Sequence, residues 1–459
     1  MTAEIDSLLA ARRACFQSGR TRSLEWRASQ LSAIRAMVTE RAKVFHDALW
    51  KDLRRNKVDA AVADLNAVAD EADYARRRLR RWMKPQRERT PFFLMPGRTT
   101  VQFDPLGVGL IVGAWNYPIQ LVLSPLIAAI SGGNCAVLKP SEVSPASAAA
   151  LAELVPQYLD RDAISVVTGG VEETTALLEQ RWDHIFFTGA PSIGKIVMAA
   201  AAKNLTPVVL ELGGKSPAIV DASADLAVAA RRIAHGRWLN AGQTCTAPDY
   251  VLVDKTMAPA FLDRLKAAAL DFYGADPQKS PDFGRIVNAR HFDRVKKLLD
   301  VGTIHHGGQH DRDDLYIAPT ILTDVPPDAP VLHEEIFGPV LPVIAVESID
   351  AAIAQVNARP HPLGLYVFAN DGAVVERILA ATASGDAAIN DCAVQPIVRE
   401  LPFGGVGNSG MGKYHGEWGF RAYTNARGVL RRGAGLDPAL RYPPYSRYSR
   451  LRNWVMGIR

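Results

Sequence analysis

The sequence predicts an α/β protein made of a parallel-sheet domain, a second α/β domain and a small extended arm. Three observations carry that prediction. From about residue 107 onward, short Val-, Ile- and Leu-rich runs alternate with Ala-rich amphipathic runs, the rhythm of strands and their covering helices. The strand-like runs are apolar on both faces, which fits a parallel sheet buried between helix layers. The chain has 459 residues, more than one ordinary core accommodates, so its length points to roughly two to four domains.

Residues 1–84 read as helical, with Leu31, Ile34, Val38, Phe45 and Leu49 recurring at helical steps on one face as a scaffolding layer. At 89–104 the pattern changes to short extended runs around Pro96 and Gly97, which reads as a β-hairpin arm serving assembly. Runs 109–112, 135–138, 165–167, 184–187 and 207–210 read as strands, with helices at 145–159, 172–180 and 192–203. Ser144 as N-cap and Pro145 at the first helical position mark the start of the first of these helices. A second alternating block runs from 216 through 249–253, 259–272, 320–322 and 364–368, predicting the second domain. Residues 433–459 are rich in Pro, Tyr and Arg and read as a docking tail.

Composition narrows the function classes. The chain is 48% hydrophobic and 22% charged, hence globular. Its net charge of +5 is modest, and the one dense basic run, Arg76-Arg77-Arg78-Leu79-Arg80-Arg81, precedes Pro85 as the solvated end of a helix would. No nucleic-acid partner is expected. The cysteines, Cys15, Cys135, Cys245 and Cys392, are far apart, so no disulfide framework and a reducing, cytoplasmic setting are expected. Glu4 and Asp6 precede any apolar run, unlike a signal peptide. The apolar region 106–138 is interrupted by Asn116, Pro118, Gln120, Pro125 and Asn134, which argues for core rather than a membrane span. His305, His306 and His310, with Asp311, Asp313 and Asp314, read as a solvated Gly-containing loop, and no metal is expected.

The chemistry centres on Asn240-Ala241-Gly242-Gln243-Thr244-Cys245-Thr246. Small polar residues around one cysteine read as a helix start, where free N–H groups favour a thiolate. An isolated cysteine is most commonly a buried structural residue, and on the heptapeptide alone that reading stands slightly ahead of the reactive one. The ends of the predicted strands supply further polar groups, where such sheets bind ligands. Asn116 lies in the turn after the first strand. Lys139 and Glu142 follow the second, suited to ribose and phosphate oxygens or to a polar helix lead-in. Thr188-Gly189-Ala190-Pro191-Ser192-Ile193-Gly194-Lys195 feeds a helix whose N–H groups suit a pyrophosphate, although Ile196 breaks the phosphate-loop pattern. Glu211 precedes Gly213-Gly214 and is either an ion-paired group or a general base raised by burial.

In chain order, Ala114-Trp115-Asn116-Tyr117-Pro118, Leu138-Lys139-Pro140-Ser141-Glu142, Phe187-Thr188-Gly189, Leu210-Glu211-Leu212-Gly213-Gly214-Lys215, the cysteine heptapeptide, Glu334-Glu335-Ile336-Phe337-Gly338-Pro339 and Leu401-Pro402-Phe403-Gly404-Gly405 resemble the aldehyde dehydrogenase superfamily. Ala247-Pro248-Asp249-Tyr250 and the run from Gly407 to Gly416 resemble its class 3-like branch, which includes fatty and aromatic aldehyde oxidisers. The resemblance implies a Rossmann-like NAD(P)-binding domain (1–88 and 105–212), a catalytic domain (213–408), and an oligomerisation hairpin and tail (89–104 and 409–459).

It further implies Cys245 as nucleophile, Asn116 as oxyanion donor and Glu211 as general base. Lys139 and Glu142 would hold the adenosine ribose, Gly189 and Ile193 would lie by the pyrophosphate, and Glu335 and Phe337 would position the nicotinamide ribose and ring. Tyr117, Thr244 and Thr246 would line the substrate pocket. NAD or NADP is the implied cofactor, with NAD placed first. Glu142 opposes a 2′-phosphate, and Lys139 offsets it. The implied product is a carboxylic acid from an aliphatic or aromatic aldehyde. Acyl transfer to coenzyme A, or cofactor binding without catalysis, is the alternative, and the intact Glu211 argues against the former. A homodimer is implied, and peripheral contact of the tail with membranes through its Arg residues and Trp454 is a secondary reading. Two departures stand out: Ala190 where many members carry Ser, and 420–427 without the Ser-His element of the class 3-like branch.

Overall fold

The computed structural model describes residues 2–450 apart from 436, 438 and 449, together with 453. Four long helices, Thr2–Gln17, Leu24–Glu40, Ala42–Leu53 and Ala67–Trp82, form the N-terminal layer. Leu31, Ile34, Val38, Phe45 and Leu49 are all buried in it, as their spacing predicts. Ser23 caps the second helix by accepting from Trp26 N. The arginine run forms the last turns of Ala67–Trp82 and pairs with Asp73, Glu400 and Glu417.

The arm begins with β1 (Gln86–Glu88) and β2 (Gly97–Pro105), paired antiparallel from Gln86 with Val101 to Glu88 with Thr99. The first strand therefore lies upstream of the expected 89–104 hairpin, and the residues between the strands are a connection with a 3₁₀ turn at Phe92–Leu94.

The first large sheet contains β3 (Val108–Val112), β4 (Cys135–Lys139), β5 (Ile164–Val166), β6 (His184–Gly189) and β7 (Val208–Leu212), parallel in the order β7-β6-β3-β4-β5. The chain builds outward from β3 to β5, then crosses to the other side of β3. This reversal opens a crevice beyond the C-terminal ends of β3 and β6. β3 and β4 are buried at every residue, as strands covered on both faces must be. Ser144 stands at the N-cap of helix Pro145–Tyr158 but its hydroxyl does not cap it. Asp52 does so instead, accepting from Ala146 N at 3.0 Å and Ser147 N at 2.8 Å.

The second large sheet contains β8 (Pro217–Val220) and β9 (Tyr250–Asp254), and later β10 (Thr303–His306), with β11 (His310–Asp311) and β12 (Tyr316–Ile317) forming a separate pair. It is completed by β13 (Thr320–Thr323), β14 (Val340–Val346), β15 (Gly364–Phe368) and β16 (Asp386–Ile389). The order is β10-β13-β14-β9-β8-β15-β16, parallel except for β10. His305, His306 and His310 thus lie on two short strands rather than in one loop. Among the described residues no group of three or more His, Cys, Asp or Glu side chains could hold a metal ion, and no helix is long and apolar enough to cross a membrane. β17 (Gly410–Met411) pairs antiparallel onto β7, and β18 (Thr424–Arg432) runs antiparallel along the whole of β2. Arg452, Trp454 and Arg459 of the tail lie outside the described residues.

Candidate active site

Between β7 and β8 lie only Gly213, Gly214, Lys215 and Ser216. The N-terminal edge of the second sheet therefore faces the C-terminal edge of the first. Glycine makes the approach possible: a Cβ on Gly213 would lie 1.8 Å from Glu335 Oε2, and one on Gly214 would lie 3.3 Å from Leu363 N. The polar residues singled out in the sequence come together along this seam.

Cys245 does not start a helix. Helix Leu226–Trp238 ends before it, and Asn240, Ala241 and Gly242 then take left-handed φ values of 53°, 52° and 76°. A Cβ on Gly242 would lie 2.1 Å from the Gly338 carbonyl, so both conformation and space require glycine there. Cys245 lies in the turn that leads into β9. The helix start expected at the thiol is absent, and carboxyls rather than cations act on it. Burial pushes the thiol up to about 12, and the Glu335 and Glu211 carboxyls push the same way, while the Cys245 and Thr246 amides oppose them. Of the four cysteines, Cys245 alone keeps partial exposure. Cys392 is sealed off with its thiol on the Arg232 carbonyl.

Asn116 follows β3 and is 2% exposed. Its amide donates to the Gln243 carbonyl at 3.1 Å, two residues before the cysteine, which leaves its second N–H available. Gln243 is itself pinned, donating to the Asn240 and Arg285 carbonyls and accepting from Val287 N. Tyr117 and Thr244 share a hydrogen bond of 2.6 Å, so two expected pocket residues do meet. Thr246 is buried, and its carbonyl accepts from Tyr366 OH at 2.5 Å.

Glu211 lies inside β7, paired with Thr188 on one side and Gly410 on the other. The sequence places it just after that strand. The side chain is 3% exposed, and neither carboxyl oxygen has a hydrogen-bond partner. Burial holds the carboxyl well above its ordinary value, with Lys413 opposing and Asp386 reinforcing the shift.

The other half of the seam suits an anionic dinucleotide. Lys139 ends β4 almost fully buried, its ammonium donating to the Pro140 carbonyl at 2.9 Å and to Glu142 at 3.5 Å. Burial lowers its pKa while Glu142 raises it. Gly189 ends β6, and Ala190 leads into helix Pro191–Ala202, whose first turn carries neither a side-chain cap nor an acidic residue. That uncapped end receives negative charge readily. Ile193, 44% exposed, lies beside it. Glu335 has one buried oxygen without a partner, and burial, then Asp249, push its carboxyl up to about 8. Phe337 has a left-handed φ of 46° and packs edge-on against Trp115 at 5.2 Å. An open helix end, a buried lysine beside a half-exposed carboxylate and an unpartnered carboxyl oxygen fit NAD or NADP.

Several functional neighbours carry no signal in the sequence. Lys215 and Arg237 clamp Asp249, and Asp249 accepts from Ile336 N, fixing the segment that bears Glu335 and Phe337. Lys215 and Asp249 fall inside quoted motifs, although nothing local pairs them. Arg55 and Asp64 meet the Asn116 loop from the N-terminal helices.

The family model described as "Aldehyde dehydrogenase family" matches residues 1–429. The chain is 47% identical to the mouse (Mus musculus) "Aldehyde dehydrogenase, dimeric NADP-preferring" over 442 residues, 96% of this chain and 98% of that one. It is 47% identical to human (Homo sapiens) "Aldehyde dehydrogenase family 3 member B1", covering 95% and 93%. Among solved structures, the substrate-bound state of Staphylococcus aureus AldH superposes with a TM-score of 0.95 at 39% identity, covering 98% of this chain and 99% of that chain. Matched over nearly its whole length in both sequence and architecture, the chain belongs to the aldehyde dehydrogenase family.

Proposed function

We propose that this chain oxidises an aldehyde with an apolar body to the carboxylic acid, through a thiohemiacetal and then a thioester on Cys245, with NADP or NAD as hydride acceptor. Glu211 carries the reading. A structural carboxyl this deeply buried is normally paired, whereas both Glu211 oxygens are unpartnered and the group acts electrostatically on Cys245. Unpartnered oxygens with a pKa raised by burial suit a group that exchanges a proton with water.

Attack of the Cys245 thiolate, formed by loss of the thiol proton, on the carbonyl carbon creates an alkoxide, stabilised by the free N–H of Asn116 and the Cys245 backbone N–H. When bound, the oxidised nicotinamide supplies the hydride acceptor that turns this adduct into the thioester. Glu211 then takes a proton from water, whose oxygen attacks the thioester carbon, and the acid leaves as sulfur is released. Lys139 and Glu142 hold the adenosine ribose, the open helix end after Gly189 takes the pyrophosphate beside Ile193, and Glu335 and Phe337 orient the nicotinamide ribose and ring.

The apolar substrate body follows from the rim. Gln395 donates to Tyr366 OH, which donates to the Thr246 carbonyl, and Val394, Ile397 and Val398 around Gln395 are exposed. Acceptance of NADP is supported by the printed name of the mouse relative and by Lys139 beside Glu142. That relative's name also says dimeric. The arm offers a matching surface, with Phe92, Phe93, Met95 and Leu430 exposed. The test is Glu211→Gln. A retained first-turnover burst of reduced cofactor with slow steady turnover is expected, and equal loss of both contradicts the base role.

A further inference from the structure

We infer that the buried Arg55–Asp64 pair is a positioning device for the oxyanion donor, gripping the loop that carries Asn116. The inference rests on the role proposed above for Asn116.

The pair is assembled from two irregular places in the N-terminal layer. Helix Ala42–Leu53 stops at Arg54, whose φ of 52° is left-handed, and the next side chain, Arg55, is buried. Asp64 lies on a π-helical turn, Ala61–Asn66, set between two α-helical stretches. Turns of this kind re-aim a side chain without ending the helix. The two side chains are 1% and 0% exposed, and Arg55 Nη1 bonds Asp64 Oδ2.

Among the described residues, the pair's other hydrogen bonds reach one loop and the helix start that follows it. Arg55 Nη2 donates to the Asn116 carbonyl, and its guanidinium lies 4.4 Å from the centre of the Tyr117 ring. Asp64 Oδ1 accepts from Ile119 N at 3.2 Å and Gln120 N at 2.9 Å, the start of helix Gln120–Gly132. On the far side, Asn240 Nδ2 donates to the same Asn116 carbonyl at 3.1 Å. The backbone of the donor residue is thus held from both domains, and its side-chain amide is anchored on the Gln243 carbonyl. A buried ion pair adds little net stability over an apolar pair of similar size, so this arrangement is better explained by orientation than by stability.

Arg55→Lys keeps the charge but supplies one nitrogen where two are used. Asp64→Asn keeps the shape while removing the charge. Each is measured alone and combined with Asn116→Ala, reading the first-turnover burst of cofactor reduction, with cofactor affinity and circular dichroism reporting an intact fold. A misplacement of about 1 Å can cost about 100-fold, so each single variant is expected to slow the burst about 10- to 100-fold with cofactor affinity unchanged. Asn116→Ala is expected to slow it about 100- to 1,000-fold. Adding Arg55→Lys or Asp64→Asn to Asn116→Ala is then expected to change the rate less than about twofold, because the positioned group is already gone. Single losses below about threefold, or losses that multiply in the double variants, overturn the proposal. An undiminished burst in Asn116→Ala refutes the oxyanion role instead. If Arg55→Lys does not fold, the Asp64→Asn cycle decides by the same outcomes.

Discussion

At the residue scale, the site is defined by two carboxyls and a thiol that burial pushes above their ordinary values. Burial, then Glu335 and Glu211, push Cys245 to about 12, so the rate of thioester formation is expected to rise with pH on the alkaline side of neutrality. A stopped-flow pH profile checks this. Glu211 also leaves a stability signature. Its folded carboxyl lies well above the ordinary value of 4.5, so above that pH the unfolded chain releases a proton that the folded chain keeps. Stability contributed by Glu211 is full below about pH 4.5 and falls as pH rises until the folded carboxyl ionises. Glu211→Gln is therefore expected to leave the melting temperature nearly unchanged at pH 4 and to raise it by about 2 °C or more at pH 8. Equal shifts at the two pH values would contradict the burial of Glu211. The reactive residue types were legible because each belongs to a recognisable run. The setting of Cys245 was not: a left-handed alanine at 241 has no local signature, and it is what turns an expected helix start into an irregular turn.

At the scale of elements, close backbone approach and a buried charge cluster shape the seam. Gly213→Ala puts a Cβ where Glu335 now lies. It is expected to weaken cofactor binding about tenfold or more by displacing that carboxyl, measured by equilibrium titration. Asp249 balances Lys215 and Arg237 in a buried site. Asp249→Asn strands two cations and is expected to destabilise the chain by about 3 kcal/mol or more, read from denaturant unfolding. The strands of the first sheet were readable within a residue or two because they are short, apolar and bounded by turns. β14 and β16 were not. Pro342 interrupts the first, which argues against a strand by local rules, and Asp386-Ala387-Ala388-Ile389 carries too few β-branched residues to declare itself.

At the scale of the whole molecule, the C-terminal edge of one parallel sheet meets the N-terminal edge of another, and the chain crosses the seam through two glycines. The first sheet contributes Asn116, Lys139 and Glu211, and the second contributes Cys245, Glu335 and Phe337. The pattern of alternating runs predicts two such domains but not which edges face each other, since that depends on contacts far apart in sequence such as Asn116 with Gln243. The arm is likewise a long-range product: β18 joins β2 only after more than three hundred intervening residues. Its exposed apolar residues predict that Phe92→Asp combined with Leu430→Asp yields a smaller species on sedimentation. An unchanged oligomer would remove the arm from the interface.

The central claim is that Cys245 carries the acyl group between the two chemical steps. Mass spectrometry of Glu211→Gln, quenched after mixing with aldehyde and oxidised cofactor, tests it most directly. An acyl adduct on the Cys245 peptide is expected to accumulate with the burst of reduced cofactor. A burst with no adduct, or an adduct on Cys15, Cys135 or Cys392, would contradict it.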